Sequence, residues 1–345
     1  MTLPLFVAAA AALLVTFVVI VHLFGPGHED APERALVPPL EGEVTLRTTY
    51  KYESGRLQAH PVRVYTQYYY PNQTVPKGVV ICLHGIYAHS GGLTPLFDDL
   101  LQRGYVVGAL DFRGFGRTSG RFGYIEKFSH NVDDTLAFLE TTRAKFPGQK
   151  VFVVGISMGG LILLHTLLRA RQGLIDGSVL HAPPVLLADG VRPAAIVEAV
   201  FRVLVKVFPK LPAIPTHGSS RANSKEVEEA VETSKQADAL FYKGCLRLGT
   251  GLNMLEATLD IQTQLHKIEG PFCLIHGDSD RVCAYEGSQR IFDAAASTDK
   301  QLITIKNGEH NLLKEPARFQ HEYLRHIGTW IDSHAAASPL DHALP

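Results

Sequence analysis

Sulfur, tryptophan and net charge are all in short supply in this chain. Four cysteines, three methionines and one tryptophan are spread over 345 residues. So few cysteines cannot frame a chain of this length with disulfides. Cys82 and Cys273 fall inside apolar runs and read as buried strand residues, whereas Cys245 and Cys283 lie in less regular segments. Neither sign of charge is in excess, with 33 Lys+Arg against 34 Asp+Glu. Without a basic surplus, nucleic acid is excluded as a partner. No His, Cys or acid grouping has the spacing of a metal motif, and His84 and His89 stand too far apart for a zinc pair. Internal repeats and low-complexity tracts are also absent. What remains is a chain with 46% hydrophobic residues, enough to bury one sizeable core.

Another absence sits at the start. Leu3–Phe24 runs for 22 residues without a charge. As a helix it spans about 33 Å, enough to cross a bilayer core. A cleaved signal peptide has a basic start and a shorter apolar region, so a single-pass membrane anchor over 1–26 is the better reading. Residues 27–40 are rich in proline, glycine and charge and read as a linker. The β-branched and aromatic stretches 44–50 and 62–70, parted by Glu53-Ser54-Gly55, read as a hairpin.

From Val79 the pattern becomes short apolar runs alternating with helical stretches. The runs are 79–83, 106–110, 151–154, 178–180, 272–275 and 302–305; helices are expected near 127–146, 157–171, 251–267, 285–296 and 316–333. This alternation predicts an α/β fold with a mainly parallel sheet covered on both faces. The core is expected over 41–183 and 251–334, interrupted by an insertion at 184–250 and followed by a frayed tail at 335–345. Within the insertion, 193–208 is almost wholly apolar. Glu198, Arg202 and Lys206 form its one polar line, at helical spacing. Such a helix is either buried deep in the core or lies in a membrane interface.

The chemistry begins at Gly155-Ile156-Ser157-Met158-Gly159. This is a G-x-S-x-G turn with an apolar run before it and a helical stretch after it. The glycines permit the sharp strand-to-helix turn that holds a serine hydroxyl clear of a sheet. A serine needs a base, and the base an orienting acid. In this arrangement the chain order is Ser, then Asp or Glu, then His. Asp280, in His276-Gly277-Asp278-Ser279-Asp280, follows one apolar run; His310, in Asn307-Gly308-Glu309-His310, follows the next. Both therefore land at the carboxyl edge of the sheet. Asp278 is the alternative acid. Backbone N–H groups of Met158 and of Ile86, after His84-Gly85, are the candidate oxyanion donors. Gly114-Phe115-Gly116 lacks the third glycine of a dinucleotide loop, Ser119 standing in its place, and reads as a tight turn.

Taken together, these pieces resemble the monoacylglycerol lipase family and the related plant lysophospholipases and caffeoylshikimate esterases. The resemblance spans about 79–330 and is carried by Leu83-His84-Gly85, Asp111 with Gly114 to Gly120, Ser157-Met158-Gly159-Gly160, Asp278 to Cys283 and Gly308-Glu309-His310. It implies an α/β-hydrolase fold, a Ser157–Asp280–His310 triad, and a cap or lid at 184–250 over an acyl pocket. It further implies ester hydrolysis through an acyl-enzyme with no metal or cofactor. The expected substrate is a single-chain lipid ester, a monoacylglycerol or else a lysophospholipid; a peptidase or a non-catalytic binding protein of the same fold are the rival readings. The family's H-G-x-G-E-H-S-x-R-Y turn is altered: its glutamate is Ala88, its arginine Gly92 and its tyrosine Leu93. Those polar groups belong to the head-group end of the pocket.

Overall fold

The computed structural model describes residues 3–27, 32–59, 62–73, 75–190, 192, 194–215 and 225–336. In chain order the elements are helix α1 (Leu3–Phe24), α2 (Glu41–Thr49), strands β1 (Lys51–Ala59), β2 (Val62–Tyr70) and β3 (Val79–Leu83), α3 (Thr94–Gln102), β4 (Val106–Leu110), α4 (Phe128–Lys145), β5 (Val151–Ile156) and α5 (Met158–Leu167). There follow β6 (Gly177–His181), α6 (Ala195–Leu204), β7 (Pro212–Ile214), α7 (Lys225–Ala237), β8 (Leu246–Arg247), α8 (Leu248–Gln262), β9 (Phe272–Gly277), α9 (Tyr285–Ala294), β10 (Lys300–Ile305) and α10 (Ala317–Ala336). From residue 337 the expected tail lies outside the described residues, as do 28–31 of the expected linker.

Eight strands form one sheet in the order β1-β2-β4-β3-β5-β6-β9-β10. The run from β4 to β10 is parallel, and β1 and β2 add an antiparallel edge. β3 and β5 have no exposed residue because helices cover both faces, which is why their sequences are continuous apolar runs rather than alternating ones. One face packs Phe138, Leu161 and Leu274; the other packs Phe97, Cys273, Tyr323 and Trp330. After β3 the chain moves outward to β4, then returns to the other side of β3 as β5. That reversal opens a crevice at the carboxyl ends of β3 and β5, where open α/β sheets place their sites.

The hairpin is present but shifted. Its first strand is β1 (51–59), and 44–49 belongs to α2. Glu43 decides this: its carboxylate accepts the Leu40 N–H at 2.9 Å, capping the helix, and pairs with Arg117 at 3.1 Å while fully buried. The ion pair recruits a helix where β-branched residues alone suggest a strand. Nearby, the buried Arg34 guanidinium donates to the carbonyls of Gly116 and Thr118, so part of the expected linker is fastened to the core.

Helix α6 has no buried residue, which excludes the buried-core reading of 193–208. Ile196, Val200 and Val203 are 74%, 50% and 66% exposed. Its polar line is engaged as the spacing predicts, with Glu198 bridged to Arg202 at 2.9 Å, and Arg202 reaching Glu256 on α8 at 2.8 Å. Helix α1 is long and apolar enough to cross a membrane, and no residue of its 7–24 stretch is buried. Its end meets the insertion. The Phe17 and Phe208 rings stand edge to face at 6.2 Å, and the Lys210 N–H donates to the Phe24 carbonyl at 3.1 Å.

Candidate active site

Ser157 occupies the turn between β5 and α5 at φ 52°, ψ −116°. A non-glycine residue held there carries backbone strain of roughly 1–3 kcal/mol. The turn closes only because its flanks lack side chains: a Cβ on Gly159 would stand 2.3 Å from the Leu83 carbonyl oxygen, and one on Gly155 would stand 2.6 Å from that of Gly159. β3 and α5 can thus approach backbone to backbone.

Asp280 follows β9 and His310 follows β10, and the sheet brings both to Ser157. His310 Nδ1 donates to Asp280 Oδ2 at 2.7 Å, and Nε2 accepts from Ser157 Oγ at 3.0 Å. The second carboxylate oxygen of Asp280 accepts the N–H groups of Val282 and Cys283 at 2.7 and 2.9 Å. Burial opposes ionisation of this carboxyl, but the charge of His310 and hydrogen bonds from His276 and His310 outweigh it and hold it well below its usual range. Asp278 points elsewhere; its carboxylate accepts the Asn307 N–H at 2.6 Å.

Ile86 lines the same cavity as Ser157, and Met158 is the first residue of α5, immediately after the serine. Gly85 comes close enough that a Cβ there would lie 3.5 Å from the serine Cβ. The loop is braced from below by His84, whose Nδ1 donates to the Gly85 carbonyl and whose Nε2 accepts the Phe112 N–H at 3.0 Å. Both nitrogens are satisfied only in the neutral ring, and burial pushes its pKa down to about 4. The Gly114-Phe115-Gly116 turn packs against buried Asp111, which accepts the Ser90 and Arg117 N–H groups at 2.8 and 2.7 Å.

Several participants are not singled out by the sequence. His276 donates from Nε2 to Asp280 at 3.1 Å and accepts from Ser288 at Nδ1, so the acid sits between two imidazoles. His181, at the end of β6, is buried beside His310 with ring centroids 6.3 Å apart and, among the described residues, no hydrogen-bond partner on either nitrogen; burial, with His310 and His276 nearby, drives its pKa well below the ordinary value. His89 Nε2 donates to Asp238 at 2.9 Å, tying the loop after β3 to the insertion. Cys283, three residues after Asp280, is 1% exposed, and burial pushes its thiol well above the usual range. Among the described residues, Asp280, Cys283 and His310 are the group close enough to share a metal ion, their ligand atoms lying within 4.8 Å. The donor set suits one poorly: both Asp280 oxygens are spent on hydrogen bonds and the thiol is held protonated.

A cavity of about 140 Å³ opens from Ser157 between the core and the insertion. Ile86, Leu93, Ile156, Val231, Phe241 and Val282 line it on the apolar side. Ala88 and Gly92, where the sequence departs from the lipase turn, also face it.

Comparison with known proteins agrees with this geometry. Residues 74–317 match the family described as serine aminopeptidase, S33. A monoacylglycerol lipase of Mycolicibacterium smegmatis is 30% identical over 261 residues, covering 76% of this chain and 90% of that enzyme. Human monoglyceride lipase is 28% identical over 275 residues, covering 80% and 88%. The crystal structure of a soluble variant of Saccharomyces cerevisiae monoglyceride lipase superposes with a TM-score of 0.71 at 20% identity, over 83% of this chain and 96% of that one, a likeness of fold. With the α/β-hydrolase sheet, the serine turn at its switch point and these relatives in hand, the chain belongs to the serine hydrolase family that includes the monoacylglycerol lipases.

Proposed function

We propose that this protein hydrolyses the acyl ester of single-chain glycerolipids at a membrane surface, with Ser157, His310 and Asp280 as its catalytic triad. The observation that carries the reading is the continuous hydrogen-bond chain from Ser157 Oγ through His310 to Asp280 at the crevice of the sheet. Ser157 Oγ attacks the carbonyl carbon while His310 Nε2 takes its proton. Asp280 keeps the remaining proton on Nδ1 and stabilises the imidazolium. The oxyanion that forms is held by the N–H groups of Ile86 and Met158. Collapse expels the alcohol, which takes the proton back from His310, and leaves an acyl-enzyme. Water, deprotonated by the same imidazole, then releases the fatty acid and restores Ser157.

Residues 184–250 act as the cap over the acyl cavity, and the exposed face of α6 rests in the lipid interface. Helix α1 anchors the chain as a single pass. Its contacts through Phe17 and Phe24 with Phe208 and Lys210 support this, since they set the cap beside the point where α1 would leave the bilayer. Lipid relatives favour this reading over peptide hydrolysis, as does an apolar cavity wall next to the serine. The test is a panel of monoacylglycerols, lysophospholipids, short soluble esters and aminoacyl peptides assayed with the wild type and Ser157→Ala. Ester turnover that disappears in Ser157→Ala is expected; cleavage of the peptides alone would refute the proposal.

A further inference from the structure

Among the described residues, three imidazoles stand in the wall of the cavity that holds Ser157: His89, His181 and His310. The nitrogens of His310 are engaged by Asp280 and Ser157. Those of His89 are engaged as well, Nε2 donating to Asp238 at 2.9 Å and Nδ1 accepting the Gly91 N–H at 3.1 Å. His181 differs. It is 1% exposed, and neither ring nitrogen has a hydrogen-bond partner among the described residues.

Packing at this position does not call for a polar ring. Side chains alternate along β6, so His181 shares a face with Val179, which belongs to the apolar layer under α10. Its partners across the sheet are Ile156 and Ile275. The Tyr323 ring packs on it at 4.6 Å between centroids, and the tyrosine hydroxyl bonds to neither nitrogen. A hydrocarbon would fill this place, whereas a ring nitrogen kept dry and unpaired costs stability. Burial, with His310 and His276 nearby, keeps the ring neutral, so one nitrogen carries a proton and the other a free lone pair. The main chain of His181 is fixed to the nucleophile turn, its carbonyl accepting the Ser157 N–H at 2.8 Å. Its ring lies 6.3 Å from that of His310 between centroids. One oxygen hydrogen-bonded to two ring nitrogens holds them about 5 Å apart, a span that two rings at this separation accommodate. The cavity, about 140 Å³, has room for a water there.

We infer that His181 orients the water of the second half-reaction, accepting one of its O–H groups while the other points at His310 Nε2. The inference rests on the ester-hydrolase reading and adds to it a residue that acts after the alcohol has left. Both water protons are then directed, and an oxygen lone pair is free to attack the acyl carbon. As the new C–O bond forms, one water proton passes to His310 Nε2. Collapse breaks the bond to Ser157 Oγ, which takes that proton back and leaves the free acid. His181 neither gains nor loses a proton. Acylation does not need it, since Ser157 Oγ is held by His310 directly. Loss of the ring should therefore slow deacylation alone.

The experiment uses the full chain with p-nitrophenyl butyrate, a soluble activated ester that needs no bilayer. Stopped-flow release of nitrophenolate follows acylation, and intact mass after rapid quenching follows the butyryl-enzyme. In His181→Leu, kcat/KM, which reports acylation, should stay within about threefold of wild type. Decay of the butyryl-enzyme should be about tenfold slower or more, so that kcat and KM fall together and the adduct accumulates on Ser157. His181→Gln and His181→Asn place an amide oxygen near the positions of Nε2 and Nδ1, and one of the two should restore decay to within about threefold of wild type. The rate of fluorophosphonate labelling at Ser157, which involves no water, reports that each variant keeps its fold and triad. If His181→Leu fails to label, His181→Met carries the comparison with the same expectations. An unchanged decay rate in the apolar variant, an equal fall in kcat/KM and in decay, or no recovery by either amide overturns the inference. Wild-type protein that neither labels nor turns over any ester would instead strike the ester-hydrolase reading.

Discussion

Helix α6 offers a perturbation whose outcome can be worked out in advance. Ile196 and Val203 are 74% and 66% exposed, so most of the free energy of burying them is still to be gained. Full burial of such side chains is worth about 1.5–3 kcal/mol each. Two-thirds of that leaves about 1–2 kcal/mol per residue, or about 3 kcal/mol for the pair, available to a lipid interface. Ile196→Asp with Val203→Asp forfeits this, and at about 1.4 kcal/mol per tenfold the vesicle partition coefficient should drop about 100-fold. The desolvation of two carboxylates makes that a lower bound. Phe201 and Val205, half-buried on the inner side, are poorer targets because charging them also disturbs packing. The assay is vesicle flotation of a chain lacking residues 1–26, so that α1 cannot mask the effect. Long-chain turnover in vesicles is measured beside turnover of a short soluble ester. Flotation and long-chain turnover should collapse while the soluble ester is cleaved normally, because neither side chain reaches Ser157. Unchanged flotation in the charged, truncated variant would refute the interfacial role of α6.

Gly159→Ala forces a Cβ to within 2.3 Å of the Leu83 carbonyl oxygen, a backbone atom that cannot swing away, and should cost about 1–3 kcal/mol in urea unfolding together with most of the activity. Asp280→Asn should lower kcat by about 10⁴ by favouring the wrong imidazole tautomer, whereas Asp278→Asn should stay within severalfold of wild type in the same ester assay. A thiol reagent applied to the native enzyme should modify exposed Cys245 and spare Cys283, as peptide mass mapping would show. For pH, His84 is neutral when folded down to about 4, while in the unfolded chain it takes up a proton below about 6.5. The unfolded state therefore binds more protons in this window, and stability falls by about 3 kcal/mol from His84 as pH drops from 6.5 to 4. Glu315, pushed up to about 7 by burial, opposes this with a smaller effect because part of it meets solvent; its folded form holds the proton longer, so its contribution weakens stability as pH rises from 4.5 to 7. Glu315→Gln should then steepen the acid loss in urea titrations at pH 7, 6 and 5, and identical flat profiles for both proteins would contradict the assignment.

The sheet was legible because its central strands are buried on both faces, which turns burial into unbroken apolar runs such as 79–83 and 151–154. The serine turn was legible for a local reason: glycines at 155 and 159 are demanded by backbone contacts within the turn and with β3. Asp280 and His310 followed from chain order and from strands that end just before them. Helix α2 was not legible, since what holds it is Glu43 against Arg117, a pair 74 residues apart. Helix α3 did leave a trace, Pro95 in its first turn and Leu96, Phe97, Leu100 and Leu101 on one face, that a search for helical spacing finds. His181 could not be picked out from 16 histidines, because only the packing of β6 beside β9 brings it to His310; His276 stands four residues before Asp280, and its contact with the acid is local.

The claim on which the rest depends is that Ser157 is the nucleophile and His310 its base. The most direct measurement is the mass of the purified protein after reaction with a fluorophosphonate, followed by mapping of the modified peptide. The account predicts a single adduct on Ser157, absent in Ser157→Ala and formed at least 10³-fold more slowly in His310→Ala, on the order expected when a triad base is lost. Prompt stoichiometric labelling of Ser157→Ala at another residue, or an undiminished rate in His310→Ala, would contradict it.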